Sequence, residues 1–178
     1  MIRKTLLLVP VIILIASAGL ATAQDELAEP LKAFKPYIGK TWKGEFANST
    51  PEKPIFDVSH WERALNGQAI RILHSVNNGE YGGETIIFWD KQKASLVFYY
   101  FTTAGFFTTG PMKFEDGKMI SHEYVTGNQN GITEVKAISE TTADGKLVSK
   151  SQYLQNGKWV KGHEVTYVEA PEAQVIFK

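Results

Sequence analysis

Short runs of apolar and β-branched residues alternate with polar residues along most of the chain, and tight-turn dipeptides separate these runs. Five of the dipeptides are Asn-Gly or Asp-Gly: Asn66-Gly67, Asn78-Gly79, Asp116-Gly117, Asp144-Gly145 and Asn156-Gly157. An Asn or Asp followed by Gly tolerates the positive φ angles that a two-residue hairpin loop requires. The repeated pattern therefore predicts an antiparallel meander of hairpins.

About ten strands are predicted from the runs between these turns. They span residues 41–48, 55–64, 68–77, 80–89, 94–103, 106–115, 118–126, 132–140, 146–155 and 158–168. Ahead of them, residues 25–34 place Leu27, Leu31 and Phe34 at helical spacing, and Pro36 would end this helix. Short strands and tight turns predict an all-β fold, namely a single up-and-down antiparallel β-barrel with a short N-terminal helix. A β-sandwich is the alternative, although its crossovers need longer connections.

Residues 1–23 have the layout of a secretory signal peptide. Arg3 and Lys4 form a basic start, residues 6–18 are almost all apolar, and Ala21-Thr22-Ala23 resembles a small-residue cleavage site. The alternative is an uncleaved anchor, because the apolar stretch is nearly long enough to span a bilayer. We expect cleavage, export to the periplasm or the medium, no membrane attachment afterwards, and one domain over residues 24–178.

The composition narrows the function classes. The chain has no Cys, which excludes disulfides, thiolate metal ligands and a thiol nucleophile. Without residues 1–23 it keeps 17 Lys and Arg residues against 19 Asp and Glu residues. Because phosphate binding needs a basic stripe and none is visible, we expect no nucleic-acid partner.

The segment at residues 37–45, Tyr-Ile-Gly-Lys-Thr-Trp-Lys-Gly-Glu, opens the first predicted strand. It resembles the Gly-x-Trp start of lipocalins, and more closely the start of nitrobindin-like barrels. The runs at residues 80–90 and 98–105 are similar to bacterial secreted lipocalin-like domains of unassigned function. The resemblance covers essentially all of residues 24–178 and implies a ten-stranded calycin-like barrel, with Trp42 packed across its closed end. Two residues separate Gly39 from Trp42, where lipocalins have one.

The turn register assigns the side chains to two faces. Two-residue loops at Asn66-Gly67, Asn78-Gly79, Lys91-Gln92 and Ala104-Gly105 are assumed. One face then holds Trp61, Ile70, Ile72, His74, Val76, Ile87, Trp89, Leu96, Phe98, Tyr100, Phe107, Ile120, His122 and Tyr124. The opposite face holds mid-strand charges at Glu62, Arg71, Glu84 and Glu123. Charged groups prefer water, so we expect the first face to line the interior.

The expected function is the binding of a small apolar or amphipathic molecule inside the barrel, without catalysis. The expected ligand-binding residues are Trp61, His74, Phe98, Tyr100, His122 and Tyr124. If the opposite face were inside, Arg71 would be positioned to hold a carboxylate, since Arg pairs with carboxylates in a bidentate manner. The alternative for Arg71 is an ordinary surface salt bridge with Glu62.

No catalytic signature and no metal-binding spacing are present, so no catalytic or metal residue is predicted. Two alternatives stay open: a haem-dependent or isomerase-like barrel enzyme using His74 or His122, and a structural domain with a filled barrel. The resemblance implies that haem-binding members use a proximal His late in the chain, where His163 is the only candidate. A two-residue loop at Asn156-Gly157 places His163 beside two lysines on the outer face, which argues against that role.

Overall fold

The computed structural model describes residues 26–128 and 130–178. It is a single closed barrel of ten antiparallel strands, in which each strand pairs with its neighbour in sequence and the last strand pairs with the first. The predicted leader at residues 1–23 lies outside the described residues. Within them, no helix has the length and apolar character to cross a membrane.

The strands follow the predicted runs to within two residues at every boundary. They are β1 (Lys40–Phe46), β2 (Phe56–Ala64), β3 (Ala69–Val76), β4 (Tyr81–Asp90), β5 (Ser95–Thr102), β6 (Phe107–Glu115), β7 (Lys118–Thr126), β8 (Ile132–Thr141), β9 (Leu147–Gln155) and β10 (Lys158–Glu169). The prediction of an up-and-down barrel is therefore confirmed, and the sandwich alternative is wrong.

The N-terminal helix differs in type and position from the prediction. It is a 3-10 helix over Glu29–Tyr37, so it starts later than predicted and continues through Pro36. Pro30 and Pro36 each lack a backbone N–H, and two prolines within nine residues disfavour the regular α-helical ladder. The helix buries Leu31, Phe34 and Tyr37 in one end of the barrel.

The end of the barrel under this helix is densely packed. The Phe34 ring meets the Phe114 ring edge-on at a centroid distance of 4.7 Å. Tyr37 lies 5.3 Å from Trp61, centroid to centroid, and Trp42 is buried beside them. We call this the closed end, and it contains most of the apolar core. The opposite, open end is formed by the loops that follow β1, β3, β5, β7 and β9.

The predicted faces hold from β2 to β5, and the predicted pairing holds from β2 to β4. Between β4 and β5, Asp90 pairs with Ser95, so the loop has four residues and not the two assumed at Lys91-Gln92, and the even difference keeps each side chain on its predicted face. Glu62 pairs with Arg71, and His74 pairs with Gly83, as the Asn-Gly loops require. Arg71 lies on the outer wall, where its guanidinium contacts Glu84 at 2.9 Å and Glu62 at 3.1 Å. The charged face is therefore outside in this half of the barrel.

The predicted face assignment is wrong by one residue in β6 and β7. Thr102 donates its backbone N–H to the carbonyl of Phe106, so the loop contains three residues, Thr103 to Gly105, and not two. Gly105 supplies the positive φ that closes such a loop. A shift of one residue turns each side chain to the other face. Phe107, Ile120, His122 and Tyr124 therefore point outward, and Thr108, Ser121 and Glu123 point inward.

A bulge in β10 produces a second error. Lys161 pairs with Gln152, but the next pair is Glu164 with Lys150, so the strand gains a residue at Gly162-His163. The extra residue turns each following side chain of β10 to the opposite face of the strand. As a result His163 faces the barrel interior, and the prediction of an outward His163 is wrong.

Candidate functional site

The open half of the barrel contains a cavity of about 840 Å³. Its apolar lining includes Ile72, Val76, Ile87, Phe98, Met112, Val135 and Val165. Its polar lining includes Asp57, His74, Tyr81, Tyr100, Thr108, Ser121, Glu123, Ser149, Ser151, Tyr153, His163 and Tyr167. Residues of the open-end loops, such as Asn48, Ala104 and Asn128, form its rim. The volume lies in the range of small-molecule sites, so the barrel is not filled by its own side chains.

A continuous chain of hydrogen bonds crosses one wall of the cavity. The Tyr167 hydroxyl donates to Asp57 Oδ2 at 2.9 Å, and Asp57 Oδ1 lies 2.8 Å from His74 Nδ1. His74 Nε2 is 2.7 Å from the Tyr100 hydroxyl, which donates to the Tyr81 hydroxyl at 2.8 Å. Asp57 is only 2% exposed, and both of its oxygens have partners. We call these five residues the polar chain.

Two glycines in the strands make room for this chain. A Cβ at Gly44 would lie 2.5 Å from the Tyr167 ring, and a Cβ at Gly83 would lie 2.5 Å from the Tyr100 ring. Such distances are closer than side chains tolerate, so each tyrosine crosses its neighbouring strand only because that strand carries Gly. Gly44 belongs to the same segment as Trp42, which therefore serves both the closed end and the cavity.

Burial keeps the tyrosines of the polar chain protonated. It raises the pKa of Tyr100 and Tyr167 far above the ordinary value, and it also raises the pKa of Tyr81. The nearby Asp57 carboxylate raises the first two pKa values further, because a second negative charge beside it is unfavourable. These hydroxyls can therefore donate hydrogen bonds across the whole physiological pH range.

Glu123 lies on β7, five strands around the barrel from Asp57 on β2. Its Oε2 accepts a hydrogen bond from the Thr108 hydroxyl at 2.9 Å, and Ser121 also contacts it. Burial raises the pKa of this carboxyl, and none of the described residues forms a salt bridge with it. Glu123 is thus an acidic group inside the barrel without a cationic partner in the described chain.

His163 lies against the Phe46 and Tyr153 rings, each met edge-on, at centroid distances of 5.2 and 5.4 Å. Its backbone N–H donates to Ser151, but neither ring nitrogen bonds to a described residue. His163 lines the cavity. The surrounding protein lowers the pKa of the ring, so His163 is neutral at neutral pH.

The polar chain contains a His–Asp pair of the kind that acid–base catalysis uses, but the hydrogen bonds among its side chains suit ligand binding better than catalysis. Asp57 can orient the His74 ring through Nδ1, which is the arrangement that general bases use. However, Nε2 of the same ring already contacts Tyr100, so no free lone pair faces the cavity. Within residues 26–128 and 130–178, no group of three or more His, Asp or Glu side chains could hold a metal ion.

The structure brings together half of the predicted ligand-binding residues. His74, Phe98 and Tyr100 line the cavity. Trp61 lies deeper, beside a small adjoining pocket of about 150 Å³. His122 and Tyr124 are on the outer wall, where His122 Nε2 lies 2.6 Å from Glu134 and Tyr124 is 50% exposed. Arg71 is also outside.

Several cavity residues were not predicted because no local sequence pattern marks them as part of a site. Asp57 falls on the inward face in the sequence register, but nothing local marks it as a partner of His74. Glu123 was assigned outward by its charge and by the loop length. Tyr167 and His163 lie beyond the bulge in β10, and Gly162 was the one sequence feature that could have suggested it.

No model of a known protein family matches the chain, and no curated protein matches it. Among solved structures, the chain is similar to one titled "Crystal Structure of Rv2717c from M. tuberculosis". The TM-score is 0.60 at 11% identity, over 82% of this chain and 99% of that chain. At this identity the likeness establishes a shared barrel fold and nothing about function.

Proposed function

We propose that this protein binds a small amphipathic molecule inside its barrel. One observation carries the proposal: a cavity of about 840 Å³ combines many apolar side chains with fixed polar groups, among them the polar chain of Tyr167, Asp57, His74, Tyr100 and Tyr81 on one wall. Ligand sites typically combine a large apolar surface with a few fixed polar groups. Burial of the apolar body would supply most of the affinity, and the polar chain would orient the head.

The leader predicted at residues 1–23 supports a role outside the cytoplasm. The absence of Cys is compatible with folding in an oxidising compartment, where no disulfide has to form. We therefore propose an exported carrier or sensor of small molecules, without catalytic activity. N-terminal sequencing of the protein from its native source tests this point, because cleavage after Ala23 gives a chain that starts at Gln24.

Fluorescence of N-phenyl-1-naphthylamine, a neutral probe that brightens in apolar sites, tests the cavity. Ala137 lines the cavity, and Ile138, the next residue of β8, is 46% exposed on the outer wall. Ala137→Phe fills part of the cavity and should weaken probe binding by about tenfold or more. Ile138→Phe adds a ring outside and should leave binding unchanged. Equal affinities of the two variants would reject the cavity as the site.

Haem binding is a second candidate, and the position of His163 is the observation that favours it. The ring is neutral, its nitrogens have no described partner, and it faces the cavity. These properties fit one axial ligand of a haem iron, and the bound group would supply redox or diatomic-gas chemistry. The other cavity residues offer no Lys or Arg for the haem propionates.

A titration with hemin separates the two candidates. A Soret band that is lost in His163→Ala and retained in His60→Ala would establish His163 as the ligand; His60 lies outside, 2.9 Å from the Thr41 hydroxyl. A band that is indifferent to His163, or no band, rejects the haem candidate and leaves the first proposal in place.

A further inference from the structure

The lining of the cavity contains two carboxyl groups, Asp57 and Glu123, and no Lys or Arg. His74 is paired with Asp57, and burial lowers the pKa of His163, so neither histidine offsets Glu123. We propose that the ligand carries a cationic head, a protonated amine or a quaternary ammonium group, on an apolar body, and that Glu123 receives this head. This inference rests on the proposed binding function and specifies its ligand class.

Glu123 is the better anchor of the two carboxyl groups. Both oxygens of Asp57 are occupied, one by Tyr167 and one by His74. The hydrogen-bond partners of the Glu123 carboxyl group are hydroxyl groups, those of Thr108 and Ser121. A buried carboxylate is costly unless a cation or several hydrogen bonds compensate it. A ligand ammonium group would supply the compensation that the chain itself does not.

The aromatic lining of the cavity suits the same head group. Tyr81, Tyr100, Tyr153 and Phe106 all line the cavity. Aromatic faces attract cations through the ring quadrupole, and this attraction grows when the cation is desolvated. An acidic group combined with aromatic walls is the usual chemistry of ammonium recognition. Apolar side chains such as Ile87, Phe98 and Met112 would then cover the body of the ligand.

A carboxylate ligand fits poorly in the same space. It would bring a third acidic group into a cavity that has no fixed cation, and like charges at close range are unfavourable. The Arg that could have held it, Arg71, is outside and contacts two glutamates. A neutral alcohol would bind through its apolar body and a hydroxyl, without the attraction of Glu123. The three head groups therefore rank amine first, alcohol second and carboxylate last.

Calorimetric titration of the purified barrel with decylamine, decanol and decanoate tests this order at neutral pH. The three probes share one apolar body, so their affinities differ by the head group alone. Wild-type protein should bind decylamine about tenfold more tightly than decanol, the effect of one charge-assisted hydrogen bond. This comparison needs no variant, so it does not depend on how a substitution affects folding.

Glu123→Gln keeps the shape and removes the charge, and should bring decylamine to the affinity of decanol. The matched control is Glu134→Gln on the neighbouring strand, where the carboxylate contacts His122 on the outer wall and its loss should change nothing. If decanol binds as tightly as decylamine, the proposed ligand class is wrong. If the amine preference survives Glu123→Gln, the assignment of Glu123 as the anchor is wrong, and in both cases cavity binding stands. If none of the three probes binds, both this inference and the proposed function are overturned.

Discussion

The two ends of the barrel use the same strands for different purposes. At the closed end, the 3-10 helix places Leu31 and Phe34 inside the barrel, where neither has any exposed surface. At the open end, polar and titratable side chains stand among the inward apolar ones, and about 840 Å³ stays unfilled. One end supplies apolar burial and hence stability. The open end places titratable groups in the interior. Their burial destabilises the folded state, but they provide polar contacts for a ligand.

Removing a ring from the closed end should have the largest effect on stability. Phe34→Ala leaves a cavity beside Phe114 and Trp61, so the free energy of unfolding should fall by about 3–5 kcal/mol. The matched change at the open end is Phe106→Ala, where space is already available, and its cost should be about 1 kcal/mol or less. Urea denaturation measures both. Similar costs would mean that the two ends do not differ as described.

Adding one methyl group beneath the polar chain should have an intermediate effect. In Gly44→Ala the new Cβ meets the Tyr167 ring, so Tyr167 must move from Asp57, at a cost of about 1–3 kcal/mol and with altered probe binding. Gly145→Ala is the control: its φ of 79° makes Ala unfavourable there, but no atom lies nearby. The control should lose stability without any change in N-phenyl-1-naphthylamine affinity. Unchanged probe binding in Gly44→Ala would contradict the role assigned to this glycine.

The smallest effect should be a pH dependence that originates at Glu123. Its pKa is raised on folding, so the unfolded chain loses this proton first as pH rises through the ordinary value of 4.5. The ligand-free protein therefore loses stability between that pH and the folded pKa. Glu123→Gln cannot ionise, so it should be more stable than wild type at neutral pH, and the difference should shrink as pH falls toward 4.5. Thermal midpoints across this range measure it, and a difference independent of pH would exclude burial of the charge as the cause.

His163 should give a pH dependence of stability with the opposite sign. Its pKa is lowered on folding from the ordinary value of 6.5, so acidification below that value protonates the unfolded chain first and reduces stability. The contribution of Glu123 to stability thus falls as pH rises above 4.5, and that of His163 falls as pH drops below 6.5. This contrast belongs to the open end, because the closed end contains no comparable group among its core residues.

The sequence by itself determined the strand count, the hairpin order and the inward face from β2 to β5. Asn-Gly and Asp-Gly loops carry this information locally, because their φ requirements fix the loop length and hence the register. His74 was placed in the interior on this basis. Phe98 and Tyr100 were placed there by the loop assumed at Lys91-Gln92, whose actual four residues preserve the inward face because the difference is even. The outward position of Arg71 followed equally from the preference of charges for water.

Only the tertiary structure decided the other half of the site. The three-residue loop at Thr103 to Gly105 and the bulge at Gly162-His163 each shift the register by one residue. A strand alternates its side chains with a period of two, so one added residue exchanges the inner and outer sets completely. No residue pattern within β7 reports the extra residue in the loop ahead of β6, and within β10 only Gly162 hints at the mismatch with β9. For that reason Glu123 and His163 lie in the cavity and His122 lies outside it, contrary to the prediction. The two carboxyl groups of the cavity lining can be recognised together only in the closed barrel.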